Sequence, residues 1–328
     1  MKYMVGLKTT DGGLLECIKN NKGDIYEVYF SWGDIPNGRS SQLLNEEYTP
    51  WELQDMQRAA LRALSESGIA LNLLFNANCY GKDSQSRTFF HKIGTIIDHV
   101  MENYDLQSIT TTSPLIAKFV HNNFEGIEVR ASVNMEIGTV QGMAYLADYF
   151  DSYYMKRELN RDFEVIRRLH TWAEDNGKKL FLLANSGCLN YCSAHNFHDN
   201  LVAHESEIAQ MDNAYEFSGI CREYLKDESR YQTLIDNTNF IRPEDMHLYE
   251  PYFVAAKLAT RIHKNPSMVV NSYMRGRYSG NILELLEPAH NIYPYVLENG
   301  SPLKLKKISE DIMMFGGEIA GDKGGETC

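Results

Sequence analysis

Short apolar runs alternate along the chain with longer stretches in which apolar residues recur every three or four positions. The runs at 2–8, 24–32, 69–76, 107–111, 126–133, 151–156, 179–185 and 252–259 have the length of buried strands. Between them, 51–67, 85–104, 113–122, 136–148 and 161–176 carry the spacing of amphipathic helices. In the last of these, Phe163, Ile166, Leu169, His170 and Ala173 share one face, while Arg161, Glu164, Arg167 and Arg168 lie largely off it. Thr49-Pro50-Trp51-Glu52 has the signature of a helix start: an N-cap, a proline at the first helical position and an early acid.

Strand–helix alternation implies a parallel sheet, and eight such units imply closure into a (β/α)8 TIM-like barrel. The segment 186–240 breaks the rhythm. It is rich in Cys, His, Asn, Asp and Tyr and holds no clean strand. A stretch of that length in a compact fold is usually functional. It reads as an insertion after strand seven, placed over the barrel mouth. Residues 1–315 are then one barrel domain, and the Gly- and charge-rich tail 316–328 is expected to be disordered.

A length of 328 residues is enough for one large barrel, and 43% apolar with 23% charged residues is the balance of a soluble globular protein. The formal net charge of −12 repels polyanions on average, which argues against DNA as a partner. No apolar run approaches the roughly 20 residues a membrane span needs. The start, Met1 to Leu7, is too short and too soon polar for a signal peptide, so a cytoplasmic location is expected. In a reducing compartment the six cysteines are free to bind metal or to sit buried.

The densest chemistry follows strand seven. Cys188, Cys192, His195 and His198 fall within eleven residues, and Cys221 comes later in the same insertion. Cys79 ends strand three, on the same face of a barrel. Four thiolates from three loops would suit an iron–sulfur cluster. Zinc could use the same thiolates, or Cys192 with His195 and His198. The plainer alternative is that these cysteines pack as small hydrophobes. Cys17 sits on the apolar face of a first helix, and Cys328 lies in the tail.

Several short motifs, in order, resemble the peptidase U32 (collagenase-like) family. They are Ile109-Thr110-Thr111-Thr112-Ser113-Pro114, Tyr154-Met155-Lys156-Arg157-Glu158-Leu159-Asn160 and Leu182-Leu183-Ala184-Asn185-Ser186-Gly187-Cys188, followed by Ile241-Arg242-Pro243-Glu244-Asp245-Met246 and Ala256-Lys257-Leu258-Ala259-Thr260-Arg261. The resemblance covers about half of the chain. It implies a [4Fe-4S] cluster on four cysteines. It also implies oxygen-independent hydroxylation, or a related modification, of a small or RNA-borne aromatic substrate. Related proteins work in pairs, so a heterodimer with another U32-type chain is a further expectation. The family commonly has a Gly-x-Cys-x3-Cys-Arg element, whereas Gly219-Ile220-Cys221-Arg222 keeps one cysteine of it. Cys79 is the expected substitute, giving Cys79, Cys188, Cys192 and Cys221 as the metal set, with His195 and His198 as alternates. Arg261 also lacks the family's preceding Glu-Gly, having Ala259-Thr260 instead.

Barrel sites lie at the C-terminal ends of the strands. Polar residues expected there are Arg157, Glu158, Lys257 and Arg261 as catalytic groups, with Asn78, Arg130, Asn134 and Asn185 as substrate-binding groups. The cations suit an acidic substrate group, Arg bidentately. The competing reading for any of them is a salt bridge to an acid such as Glu158 or Glu128. A peptidase would need an activated nucleophile or a metal-bound water. The chain has no Gly-x-Ser-x-Gly and no His-Glu-x-x-His, and His204-Glu205 lacks the second histidine. A zinc hydrolase on His195 and His198 with Glu158 or Glu205 as base is one alternative. A non-catalytic subunit of a heterodimer is another.

Overall fold

The computed structural model describes residues 1–38 and 47–308. The tail 316–328, with Cys328, lies outside the described residues. Eight parallel strands close into a barrel in sequence order: β1 (Lys2–Gly6), β2 (Ile25–Phe30), β3 (Leu71–Phe75), β4 (Leu106–Thr111), β5 (Glu128–Ala131), β6 (Ser152–Tyr154), β7 (Lys179–Leu183) and β8 (Ala255–Leu258). Closure is made by β8 on β1, with Met4 opposite Lys257 and Val5 opposite Leu258. Seven of these strands fall inside an apolar run of the sequence and β4 begins one residue before its run, so the (β/α)8 expectation holds.

The helices are α1 (Gly12–Asn20), α2 (Pro50–Glu66), α3 (Arg87–Asn103), α4 (Pro114–Asn123), α5 (Val140–Ala144) and α6 (Phe163–Asp175). Their starts are fixed locally. Asp11, Thr49, Ser86, Ser113 and Asp162 each accept a hydrogen bond from a first-turn N–H. At α2 the cap is reciprocal: Glu52 N–H donates to Thr49 Oγ1 at 3.3 Å, and Thr49 N–H donates to Glu52 Oε2 at 2.9 Å. One stretch departs from its periodicity. The helix expected over 136–148 shrinks to α5, because Glu136 takes a left-handed conformation (φ 52°) and Thr139 starts the helix late. That break leaves Glu136 at the barrel top.

The core has two layers. Most buried apolar residues lie between strands and helices. A smaller set, including Met4, Tyr29, Leu74, Tyr154 and Phe181, fills the barrel interior. Residues 186–240 contain no strand. They form short helices α7 (His195–Ala203), α8 (Glu205–Ile208), α9 (Ile220–Tyr224) and α10 (Thr233–Asp236). This segment is tied to residues that follow β3, β5 and β6. Asn78 Nδ2 donates to Asp199 Oδ2 at 3.2 Å, His195 Nδ1 is 2.6 Å from Glu136 Oε1, and Tyr191 N–H donates to Glu158 Oε1 at 3.0 Å. It therefore covers the C-terminal ends of those strands. After β8, α11 (Pro266–Met274) packs on α1, and a hairpin of β9 (Tyr295–Glu298) with β10 (Lys304–Lys307) follows. The loop before the hairpin crosses the start of the lid: Gly187 N–H donates to Glu287 O at 3.1 Å. A side chain on Gly187 would meet Pro288 O at 2.0 Å, which is why glycine stands there. Among the described residues no helix is long and apolar enough to cross a membrane.

Candidate active site at the barrel mouth

At the C-terminal ends of the strands lies a small cavity. Tyr29, Asn76, Asn134, Arg157, Lys257 and Arg261 are among its lining. Lys257 comes from β8 and is buried. Its Nζ stands 4.3 Å from the ring centroid of Tyr29 and 5.2 Å from that of Tyr154. Two aromatic faces stabilise an ammonium there at some depth from water. Arg261 follows the same strand and donates through Nη1 to Asn37 Oδ1 at 3.0 Å and Ser31 Oγ at 3.2 Å. Its stem passes Gly6, where a Cβ would lie 2.6 Å from Arg261 Cγ, so β1 must end in glycine to let the arginine in. Asn134 Nδ2 donates to Asn76 O at 3.2 Å and braces the opposite wall.

Arg157 links this cavity to the lid. Its Nη1 is 3.8 Å from Cys188 Sγ, and its Nη2 contacts the His195 ring. The His195 Nε2 is also 3.4 Å from Asp199 Oδ2. Burial pushes the Glu136 carboxyl up, but His195, Lys156 and Arg157 outweigh it and hold it below the usual range. His195 is thus engaged by carboxylates on both ring nitrogens, which competes with its use as an alternate metal ligand.

Four expectations from the sequence need correction. Arg130 does not line the mouth. It is fully buried inside the barrel, with Nη1 2.5 Å from Glu27 Oε1, Nη2 2.7 Å from Glu128 Oε1, and its guanidinium 4.0 Å over the Phe181 ring. Burial alone would raise Glu128, but Arg130 and the hydrogen bonds from Lys179 and Ser152 hold it at about 2. Asn185 is a brace: Nδ2 donates to Ala259 O at 3.0 Å and Leu285 O at 2.9 Å, and Oδ1 accepts from Ala259 N–H at 2.6 Å. Glu158 faces the lid's base. It pairs with Lys156 at 3.0 Å and accepts from Tyr191 N–H, away from the cavity lining. Asn78 joins barrel to lid through Asp199.

The thiols divide. Cys188, Cys192 and Cys221 lie close enough to influence one another: burial raises the Cys221 thiol, and the charges of Cys188 and Cys192 push the same way. His198 borders this group, since a Cβ on Gly219 would lie 3.9 Å from both Cys221 Sγ and His198 Cε1. Cys79 is held elsewhere, beside His204 and Glu207 of the lid. Cys17 sits half-buried on α1 and its thiol is raised by burial. Soft donors of this kind suit iron or zinc, but the expected set of four does not fit, because Cys79 faces other partners. Among the described residues no group of three or more His, Cys, Asp and Glu side chains stands at metal-holding spacing.

No family model matches the chain. A curated protein of Methanocaldococcus jannaschii, described as an uncharacterized protease, is 26% identical over 289 residues, spanning 86% of this chain and 81% of its own. Among solved structures, a U32 peptidase superposes with a TM-score of 0.56 at 11% identity, covering 78% of this chain and 91% of that one. The barrel that carries the motif series is thus the barrel of that structure. The chain resembles a U32 peptidase in its fold. Sequence reading missed Glu136, Asp199 and Glu207. Glu136 was hidden by a helical periodicity that the structure interrupts. The others lie in an insertion whose short helices carry little periodic signal.

Proposed function

We propose that this chain is a U32-type enzyme that grips an acidic group of its substrate in the barrel mouth and acts on the rest of the molecule beneath the lid. The observation that carries the reading is the convergence of Lys257, Arg261 and Arg157 on one cavity at the C-terminal ends of the strands. The buried carboxylate of Glu287 shares the lining, and two guanidinium forks and one ammonium against it leave an excess of positive charge that suits a carboxylate. Asn76 and Asn134 add neutral polar groups that could orient the remainder. The chain's net charge of −12 favours a small acid over a long polyanion. In this reading Cys188, Cys192 and Cys221 would have to draw together from their positions in this structure to hold a metal centre, an iron–sulfur cluster ahead of zinc, and the reaction is of the oxygen-independent hydroxylation class. Such a cluster would supply electron transfer. The chain's own residues bind the acid, orient it and exclude water.

Anaerobic reconstitution with ferrous iron and sulfide tests the lid assignment. Iron content and the visible absorption of the cluster are the readouts. Wild type and Cys79→Ala should take up iron equally, while Cys188→Ala, Cys192→Ala and Cys221→Ala should each lose most of it with the barrel still folded by circular dichroism. Iron uptake that none of the three lid substitutions changes, or that Cys79→Ala alone abolishes, refutes the assignment.

A further inference from the structure

Lys257 differs in kind from the other cations of the barrel mouth. It is buried, as are Arg157 and Arg261, which share its cavity. Its Nζ and the Arg261 guanidinium lie near one ring, the first 4.3 Å and the second 6.0 Å from the Tyr29 centroid. The Tyr154 ring, 5.2 Å from Nζ, makes a second aromatic wall. Both rings are held in place. The Tyr29 hydroxyl donates to Leu258 O at 2.7 Å, and Tyr154 packs on Phe181 at 5.7 Å between centroids. Val133, Leu183 and Ala259 supply the apolar part of the lining. The carboxylate of Glu287 belongs to the same lining. Its backbone is fixed on both sides, with its N–H donating to Asn185 O at 3.0 Å and its carbonyl accepting from Gly187 N–H at 3.1 Å.

Holding a carboxylate needs only the guanidinium forks, which meet it bidentately. A lysine is the poorer clamp and the better reactant. Its nitrogen is a single point on a flexible stem, and burial beside other cations favours the neutral amine that attacks carbonyl carbon. Among the charged groups of the lining, Arg157 and Arg261 favour the amine and Glu287 opposes them. The aromatic walls bear on the product. An ammonium seeks acceptors for three N–H bonds, whereas an iminium keeps the positive charge on the same nitrogen with a single N–H. Two ring faces therefore suit the iminium better. The apolar lining keeps water from the C=N bond once it has formed.

We propose that Lys257 forms an imine with a small oxo acid held in the barrel mouth, an inference that rests on the acid-binding reading above and on no metal centre. Arg157 and Arg261 take the carboxylate. The amine nitrogen of Lys257 bonds to the carbonyl carbon, and the carbonyl oxygen takes up a proton. A second proton lets that oxygen leave as water, and the nitrogen lone pair closes the C=N bond. Glu287 is the carboxyl group of the lining that passes these protons. Counted from the ammonium and the ketone, the products are one iminium and one water, charge is conserved, and no oxidant or reductant enters. The iminium then draws electrons from the bonds of the adjacent carbon, which is the activation the site gives its oxo acid.

The test uses the full chain with pyruvate, acetoacetate and propionate, the last being a carboxylate without a reactive carbonyl. Sodium cyanoborohydride at neutral pH traps an iminium as a stable secondary amine. Peptide mapping by mass spectrometry then locates the label in wild type, and no variant is needed. At least one of the two oxo acids should label Lys257 ten-fold or more faster than any other lysine, and excess propionate should slow that labelling at least ten-fold. Absent labelling, or labelling spread evenly over the lysines, overturns the imine. If propionate still raises the melting temperature in that case, the acid-binding reading stands and only the imine falls. If none of the three acids raises it and Lys257 stays unlabelled, the acid-binding reading fails and the imine with it.

Discussion

Replacing Arg130 with methionine separates a structural cation from a substrate-binding one. Methionine keeps an unbranched stem against Phe181 but leaves Glu27 without its cation and Glu128 with Lys179 alone, at side-chain exposures of 2% and 15%. Breaking a buried pair by removing one partner costs roughly 3–5 kcal/mol. A second route gives a similar size. Glu128 stands at about 2 against its ordinary 4.5. At about 1.4 kcal/mol per unit, a depression of that size corresponds to about 3.5 kcal/mol of stability at neutral pH, an upper limit for Arg130 because Lys179 and Ser152 supply part of it. At about 2 °C per kcal/mol for a chain of this length, the midpoint should fall by roughly 5–10 °C. The sign with pH follows from the depressed value. The contribution is fully present above the unfolded pKa near 4.5 and is lost as pH falls through the folded value near 2. Carboxylates without their cation titrate higher, so the gap between wild type and variant should narrow as pH drops below about 4.5. Thermal unfolding followed by circular dichroism at pH 7 and at pH 3 measures both features. A variant that melts within 1–2 °C of wild type at pH 7, yet no longer binds its acid ligand, would show that Arg130 serves the site and that the interior pair carries no weight.

Asn185→Ala removes three hydrogen bonds that join β7 to Ala259 and Leu285, leaving buried backbone groups unsatisfied. The expected loss is about 2–4 kcal/mol in a denaturant titration, without a change in metal content. Lys257→Met keeps apolar packing against Tyr29 and Tyr154 and removes the charge. Its melting point should stay within a few degrees of wild type, while the stabilisation that wild type gains from whichever of a panel of small mono- and dicarboxylic acids binds should fall at least ten-fold in apparent affinity. A variant that fails to fold would place Lys257 in the framework instead.

The barrel was legible in the chain because its determinants are local. Apolar runs the length of a strand, amphipathic spacing between them and capping residues such as Thr49 and Ser113 act over a few positions, and the eight strands formed where those signals stood. The lid announced itself by what it lacked, and the spacing of Cys188 and Cys192 is local as well. The site was only half legible. Arg130 and Lys257 are both cations on parallel strands, but one sinks into the interior and the other lines the mouth. That difference is set by the height of each residue along the barrel axis, which depends on how all eight strands stagger when they close. Asn78 and Asp199 are far apart in sequence, and nothing near either residue names the other. Their pairing follows from where the lid's short helices come down on the turn after β3. A side chain's partners are fixed by that packing, because hydrogen bonds act across a few ångströms of space regardless of how much chain lies between.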